Sequence, residues 1–130
     1  MKYLLDTHVF LWLQSDPKRL GSSISRLERP DSELLVSAAS GWEIAIKYEI
    51  GRLSLPEPPE RYVPSRVKAI GALALPVELR HALAVSTLPP IHRDPFDRIL
   101  LCQAKATNAI LVTADETMDQ YSIRTLLIPS

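Results

Sequence analysis

The stretch Asp94-Pro95-Phe96-Asp97-Arg98-Ile99-Leu100-Leu101-Cys102-Gln103-Ala104, followed shortly by Ala109-Ile110-Leu111-Val112, decides the fold class. Asp94 ahead of Pro95 is a strong helix start. Proline at the first helical position loses nothing by lacking an N–H, and an Asp before it can accept from orphan amides. Phe96, Ile99, Leu100, Gln103 and Ala104 then recur along one stripe. Ala109 to Val112 is a short, unbroken apolar run, as expected of a strand covered on both faces.

The same alternation extends outward. Tyr3-Leu4-Leu5 is an apolar run ending at Asp6, and a helical stretch with Val9, Phe10 and Leu13 follows until Asp16-Pro17 stops it. Residues 22–29 read as a polar helix ended by Pro30, and Leu34 to Ser37 as a buried strand. Ser40-Gly41-Trp42-Glu43 opens a helix in which Trp42, Ala45, Ile46 and Ile50 recur at helical spacing, with Gly51 as its stop. Helices are predicted over 60–70 and 77–86, and strands at Leu73–Leu75 and Arg124–Ile128. Short apolar strands joined by helices predict an α/β domain whose central sheet is mainly parallel and flanked by helices on both faces.

Composition bounds the rest. At 130 residues the chain is expected to form a single domain, 1–130, able to bury roughly two-thirds of its unfolded surface. A 46% apolar and 23% charged composition excludes intrinsic disorder. Fifteen cations against fifteen acids exclude a protein that holds nucleic acid by bulk charge, although ten of those cations are Arg and a local basic face stays open. The single cysteine, Cys102, excludes an internal disulfide and a cysteine-built zinc site, and points to a reducing, cytoplasmic setting with Cys102 as a small buried hydrophobe. Val9 to Leu13 is too short for an export signal, and no run approaches the roughly 20 apolar residues of a membrane span. The proline clusters at 56–59 and 89–95 mark loops.

Four carboxylates have notable positions. Asp6 and Asp115 lie just past predicted strands, and Glu43 and Asp97 lie in the opening turns of predicted helices. In an open parallel sheet these places share one edge, the edge where ligands bind. Converging carboxylates repel one another, and a hard divalent cation such as Mg²⁺ or Mn²⁺ removes the conflict. Such an ion can polarise a phosphoryl oxygen and activate water for in-line attack. No nucleophile elbow or phosphate-cradling glycine loop competes, and His8, His81 and His92 have no metal-ligand spacing. Each acid also has a local reading. Ser40 and Glu43 fit a capping box, Asp6 and Asp115 could cap the helices after them, and Glu43 and Lys47 form an i,i+4 pair. Asp94 is assigned to capping and Asp119 to a solvated turn. Trp12 and Trp42, lying in apolar stripes, are expected in the core.

Leu4-Leu5-Asp6-Thr7-His8, Trp42-Glu43-Ile44-Ala45-Ile46-Lys47, His92 to Leu100 and Leu111-Val112-Thr113-Ala114-Asp115 together resemble the PIN-domain nucleases, and among them the VapC-type toxins of bacterial toxin–antitoxin pairs. The resemblance covers nearly the whole chain, and Asp94-Pro95-Phe96-Asp97-Arg98 is its most specific part. It implies a three-layer PIN-like fold and an endoribonuclease. Asp6, Glu43, Asp97 and Asp115 would be its acidic set, holding one or two Mg²⁺ or Mn²⁺ ions, with Asp6 and Asp97 as principal ligands. Thr113 matches the family's hydroxyl position, implied to orient a water. The partners implied are an RNA substrate, a cognate antitoxin protein and a second copy in a homodimer, with no membrane. Arg93, Arg98 and Lys47 are candidate RNA contacts, and Arg61, Arg66, Lys68, Arg80 and Arg93 a candidate basic rim. Other readings are a phosphatase of the haloacid dehalogenase type, which wants an Asp where His8 stands, a receiver-like signalling domain, and a PIN-like interaction module with weak or no cleavage.

Overall fold

The computed structural model describes residues 1–129. Its strands are β1 (Lys2–Leu5), β2 (Glu33–Ser37), β3 (Leu73–Leu75), β4 (Ile110–Thr113) and β5 (Thr125–Leu127). Its α-helices are α1 (Thr7–Ser15), α2 (Ser23–Leu27), α3 (Ala38–Glu49), α4 (Pro59–Ala69), α5 (Leu79–Ala84) and α6 (Pro95–Thr107). The strands form one sheet in the order β3-β2-β1-β4-β5, with every neighbouring pair parallel. The expected α/β architecture is therefore present, and the sheet is wholly parallel.

Strand pleating explains the layers. Tyr3, Leu5, Leu34, Val36, Ile110 and Val112 enter one core with Val9, Phe10, Leu27 and Ile44, against which Val63 and Val67 of α4 pack. Leu4, Leu35 and Leu111, one residue out of phase, enter a second core with Leu100, Leu101 and Ala104 of α6. Fully burying each such side chain contributes about 1.5–3 kcal/mol. Asp94 caps α6 as expected, its Oδ1 accepting from the Phe96 and Asp97 amides at 2.8 and 3.2 Å. Asn108 ends that helix in the left-handed conformation.

Three expectations need correction. Helix α3 starts at Ala38, and its cap is Ser37, whose Oγ accepts from the Ala39 amide at 3.0 Å, so Ser40 and Glu43 form no capping box. Ser40 instead lies buried, accepting a 2.8 Å bond from the Thr7 hydroxyl. The Ser37 hydroxyl also donates to Gln103 of α6 at 2.6 Å. These polar anchors set the rotation of α3, so that Ala39, Ser40, Glu43 and Ile44 face inward. Trp42 is consequently 62% exposed, and its ring meets that of Phe96 in a T-shaped arrangement with centroids 5.2 Å apart. Trp12 is partly buried against the first core, with the Arg19 guanidinium 3.9 Å from its ring centre. Finally, the predicted helix over 77–86 is the shorter α5 followed by a 3-10 turn at Val85–Thr87.

Candidate functional site

Strand order fixes where the acids meet. The chain leaves β1 in the middle of the sheet, builds β2 and β3 on one side, then crosses to β4 and β5 on the other. The carboxyl ends of β1 and β4 thus form a topological switch point, where the connections diverge and leave a crevice. Leu5 pairs with Val36 and with Val112, and the Asp6 amide donates to the Val112 carbonyl at 2.9 Å. Asp6 therefore sits level with Thr113, and Asp115 lies two residues further along. From the other layers, α3 contributes Glu43 and the first turn of α6 contributes Asp97.

Hydrogen bonds tie this edge together. The Thr113 hydroxyl donates to Asp6 Oδ2 at 2.7 Å and accepts from the Asp115 amide at 3.0 Å. Asp6 occupies the cap position of α1, yet its side chain makes no capping bond. Asp115 does act locally as well, its Oδ1 accepting from the Thr117 amide at 2.9 Å. Its Oδ2 lies 2.8 Å from His92 Nε2, which is also 3.1 Å from Asp97 Oδ2. The Asp94 amide donates to His92 Nδ1 at 3.1 Å, so the ring proton belongs on Nε2, between the two carboxylates. Glu43 is buried; its Oε2 accepts from Lys47 at 2.8 Å, and its Oε1 has no partner.

Charge crowding shows in the acidities. Burial, reinforced by the charges of Asp6, Asp94 and Glu43, pushes the Asp97 carboxyl up to about 7 despite the opposing influence of His92. Burial likewise raises Asp6; the Thr113 bond and His8 oppose the rise, while Glu43 adds to it. Asp115 moves the other way. Burial would raise it, but hydrogen bonds from His92 and Thr117 outweigh that effect and hold it below the usual carboxylate range. The donor set is thus carboxylate-rich, crowded with like charge, and includes a buried oxygen without a partner. All of this fits a hard divalent cation. His92, Asp97 and Asp115 bring ring and carboxylate atoms within 4.8 Å of one another, and with its proton on Nε2 the ring serves the two carboxylates as a donor.

All four sequence-predicted acids lie at this edge. His92 joins them, although the histidines have no metal-ligand spacing in the sequence. Spacing between histidines could not reveal it, because its partners come from α6 and the segment after β4. The available signal was its place directly ahead of a capped helix that opens at the sheet edge. Tyr121, also missed, positions this loop: its hydroxyl accepts from the His92 amide at 2.8 Å and donates to the Pro89 carbonyl at 3.0 Å. Arg98 is corrected as an RNA contact. Its guanidinium donates to the carbonyls of Val85, Pro89 and His92 at 2.9–3.2 Å and holds the same loop. The Thr113 proton goes to Asp6, which makes Thr113 a strut between Asp6 and Asp115. Of the expected basic rim, Arg66 donates to Gln14 and Arg80 pairs with Glu78, while Arg93 is exposed beside His92. Asp119 lies in an exposed turn and accepts from the Thr125 hydroxyl.

The sequence pattern of the PIN domain matches residues 3–123. Ribonuclease VapC16 of Mycobacterium tuberculosis is 48% identical over 50 residues, a match spanning 38% of this chain and 36% of that protein. Ribonuclease VapC22 of the same organism is 29% identical over 118 residues, covering 91% of this chain and 90% of that protein. Among solved structures, VapBC2 from Rickettsia felis, bound to a DNA fragment from its promoter, contains a chain of like fold. The TM-score is 0.76 at 14% identity, covering 99% of this chain and 100% of that one.

Proposed function

We propose, from the premise that this chain belongs to the PIN domain family, that it is a metal-dependent endoribonuclease acting as the toxin of a toxin–antitoxin pair. The observation that carries the reading is the crowding of Asp6, Glu43 and Asp97. One buried Glu43 oxygen has no partner, and the Asp97 carboxyl is pushed up to about 7. A fold has little reason to gather three buried or partly buried carboxylates around one nearby ammonium unless a further cation completes them. The relatives named as ribonucleases support the chemistry.

Asp6 and Asp97 would be the principal holders of one or two Mg²⁺ or Mn²⁺ ions, with Glu43 and Asp115 completing the set. When bound, the ion lowers the pKa of water and offsets negative charge on the phosphoryl oxygens of RNA. Thr113 keeps Asp6 and Asp115 in fixed orientation. Lys47 fixes one oxygen of Glu43 and leaves the other, buried and without a partner, free to ligate. His92 presents an N–H between Asp97 and Asp115, held there by Tyr121 and Arg98. Arg93, which is exposed, would meet the RNA backbone. Residues 1–130 work as one domain.

The toxin reading brings two protein partners, an antitoxin and a second copy of the chain. Exposed apolar side chains on α3 and α5, among them Trp42, Leu79 at 75% and Leu83 at 64%, support such contacts. Among the described residues, no helix is long and apolar enough to cross a membrane, and the cytoplasm is the proposed compartment.

The test is cleavage of total RNA by purified protein with Mg²⁺ or Mn²⁺, with and without EDTA, alongside the Glu43→Gln variant. Cleavage is expected to need the metal and to fall by at least ~100-fold in the variant, with melting within a few degrees of the parent. RNA left intact by well-folded parent protein with metal present would replace this reading with the interaction module. Full activity in Glu43→Gln would remove Glu43 from the catalytic set.

A further inference from the structure

Resting on the nuclease reading above, we propose that His8, Lys47 and Arg52 form a subsite that grips backbone phosphate of the RNA strand beside the cleavage site. These three side chains line a cavity of about 330 Å³ over an apolar floor of Leu11, Ile44 and Leu53. No acid lines it. It lies beside the carboxylate pocket, since Thr7 and Ile44 of its lining are the chain neighbours of Asp6 and Glu43. Lys47 physically joins the two, with Nζ 2.8 Å from Glu43 Oε2.

Local backbone geometry builds the cluster. Helix α3 ends at Glu49, and Gly51 takes φ +76°, a conformation natural to glycine. The chain thereby folds back, and the Arg52 amide donates to the Lys47 carbonyl at 2.8 Å. This return brings Arg52 beside Lys47 across from His8 in the first turn of α1. His8 and Arg52 are exposed, and neither side chain has a hydrogen-bond or ion-pair partner among the described residues. Of the other cations near the site, Arg98 is committed to three carbonyls and Arg80 to Glu78, while Arg93 is exposed on the far side of the pocket's acids, beside His92.

The chemistry selects a polyanion. A chain of zero net charge has no bulk field to draw RNA in, and its carboxylate pocket repels phosphate. Cations bordering that pocket lie well inside the ~8–10 Å screening length, where they can offset the repulsion. Arg offers a planar fork that fits phosphate bidentately. The apolar floor suits the face of a ribose or base, which favours a nucleotide over a free inorganic anion. The volume lies at the lower end of the ~300–1,000 Å³ typical of ligand clefts.

The experiment uses the full chain carrying Asp97→Asn to prevent cleavage, a fluorescein-labelled single-stranded RNA, and anisotropy titrations at several salt concentrations. Adding Arg52→Ala is expected to weaken binding about five- to tenfold and to lower the slope of log K against log salt by ~0.7, the loss of one phosphate contact. Arg52→Lys should restore most of the affinity, and His8→Ala should give a smaller loss. In the cleaving parent, Arg52→Ala should raise KM with kcat nearly unchanged. Unchanged affinity and slope in Arg52→Ala, or no RNA binding by the Asp97→Asn chain, would overturn the subsite. The two readings fail separately. Arg52-dependent binding by a parent that never cuts RNA sinks the nuclease and keeps the subsite, whereas metal-dependent cleavage with an Arg52-independent KM does the reverse.

Discussion

Asp97 and Asp115 flank the same imidazole nitrogen, at 3.1 and 2.8 Å, yet their acidities diverge. Asp97 is pushed up to about 7, while Asp115 lies below the usual carboxylate range. The shared His92 cannot explain the difference, since it favours ionisation of both. Surroundings decide it. Asp97 lies on the inner side, where it is desolvated and faces the charges of Asp6, Asp94 and Glu43. Asp115 lies at the more open lip and receives hydrogen bonds from Thr117 as well as His92. An identical side chain is thus a disfavoured anion in one place and a satisfied anion in the other.

The strongest way to break this comparison is to neutralise each aspartate in turn. Asp97→Asn should lower RNA cleavage by ~10³-fold, the scale expected when a central electrostatic group is lost. Asp115→Asn should cost only ~10–100-fold, as for a supporting ligand whose neighbours remain in place. The readout is kcat/KM on one RNA at saturating Mn²⁺. Equal losses would mean that the acidity difference has no bearing on catalysis.

A second test uses pH and metal. Because the folded-state acidity of Asp97 lies near 7 and its unfolded value near 4, the native chain binds more protons across that window. Stability from this group is therefore full below about pH 4 and declines as pH rises through 7. Asp6, also raised, adds to the decline. Asp115 contributes the opposite sign: its stabilisation is present above its ordinary value and lost as pH falls through the depressed one. The metal-free protein should accordingly melt several degrees lower at pH 8 than at pH 5, and Asp97→Asn should flatten the slope. Millimolar Mg²⁺ or Mn²⁺ should raise the melting temperature more at pH 8 than at pH 5, because the ion binds ionised carboxylates. At 100 times Kd the linkage contributes ~2.7 kcal/mol. A melting temperature independent of pH in this range, or unmoved by metal at pH 8, would remove the premise that Asp97 is a strained anion.

These acids are legible in the sequence because each sits at a strand end or a helix start, and a parallel sheet brings such places to one edge. The strands were legible for a related reason. Covered on both faces, Leu4-Leu5, Leu34-Leu35-Val36 and Ile110-Leu111-Val112 are unbroken apolar runs. Trp42 was misplaced because apolar periodicity says nothing of polar anchors. The Ser37–Gln103 and Thr7–Ser40 bonds turn α3 so that Glu43 faces inward and the tryptophan outward. His92 and Tyr121 were invisible because their partners are distant in sequence, and Arg98 misled because its charge is used on backbone carbonyls. The split between Asp97 and Asp115 depends on desolvation, which no spacing rule encodes.

The smallest expected effect sharpens the comparison from its midpoint. Thr113 joins the inner and outer halves of the site, donating to Asp6 and accepting from the Asp115 amide. Thr113→Val keeps the shape of this fully buried side chain but removes both bonds. The Asp115 amide loses a partner, and Asp6 loses the bond that opposes its desolvation. The stability cost should be ~1–3 kcal/mol, with cleavage down about tenfold as the two carboxylates lose their fixed orientation. The Asp6 carboxyl should rise further, steepening the loss of stability above pH 5, while the His92–Asp97 pair stays intact. Thr113→Ser retains the hydroxyl and should recover most of the activity even though it leaves a small void. Rescue by serine, read with the pH–melting profile, separates a strut made of hydrogen bonds from one made of packing. If valine matches the parent in cleavage and serine does not, methyl packing rather than the hydroxyl holds the two halves together.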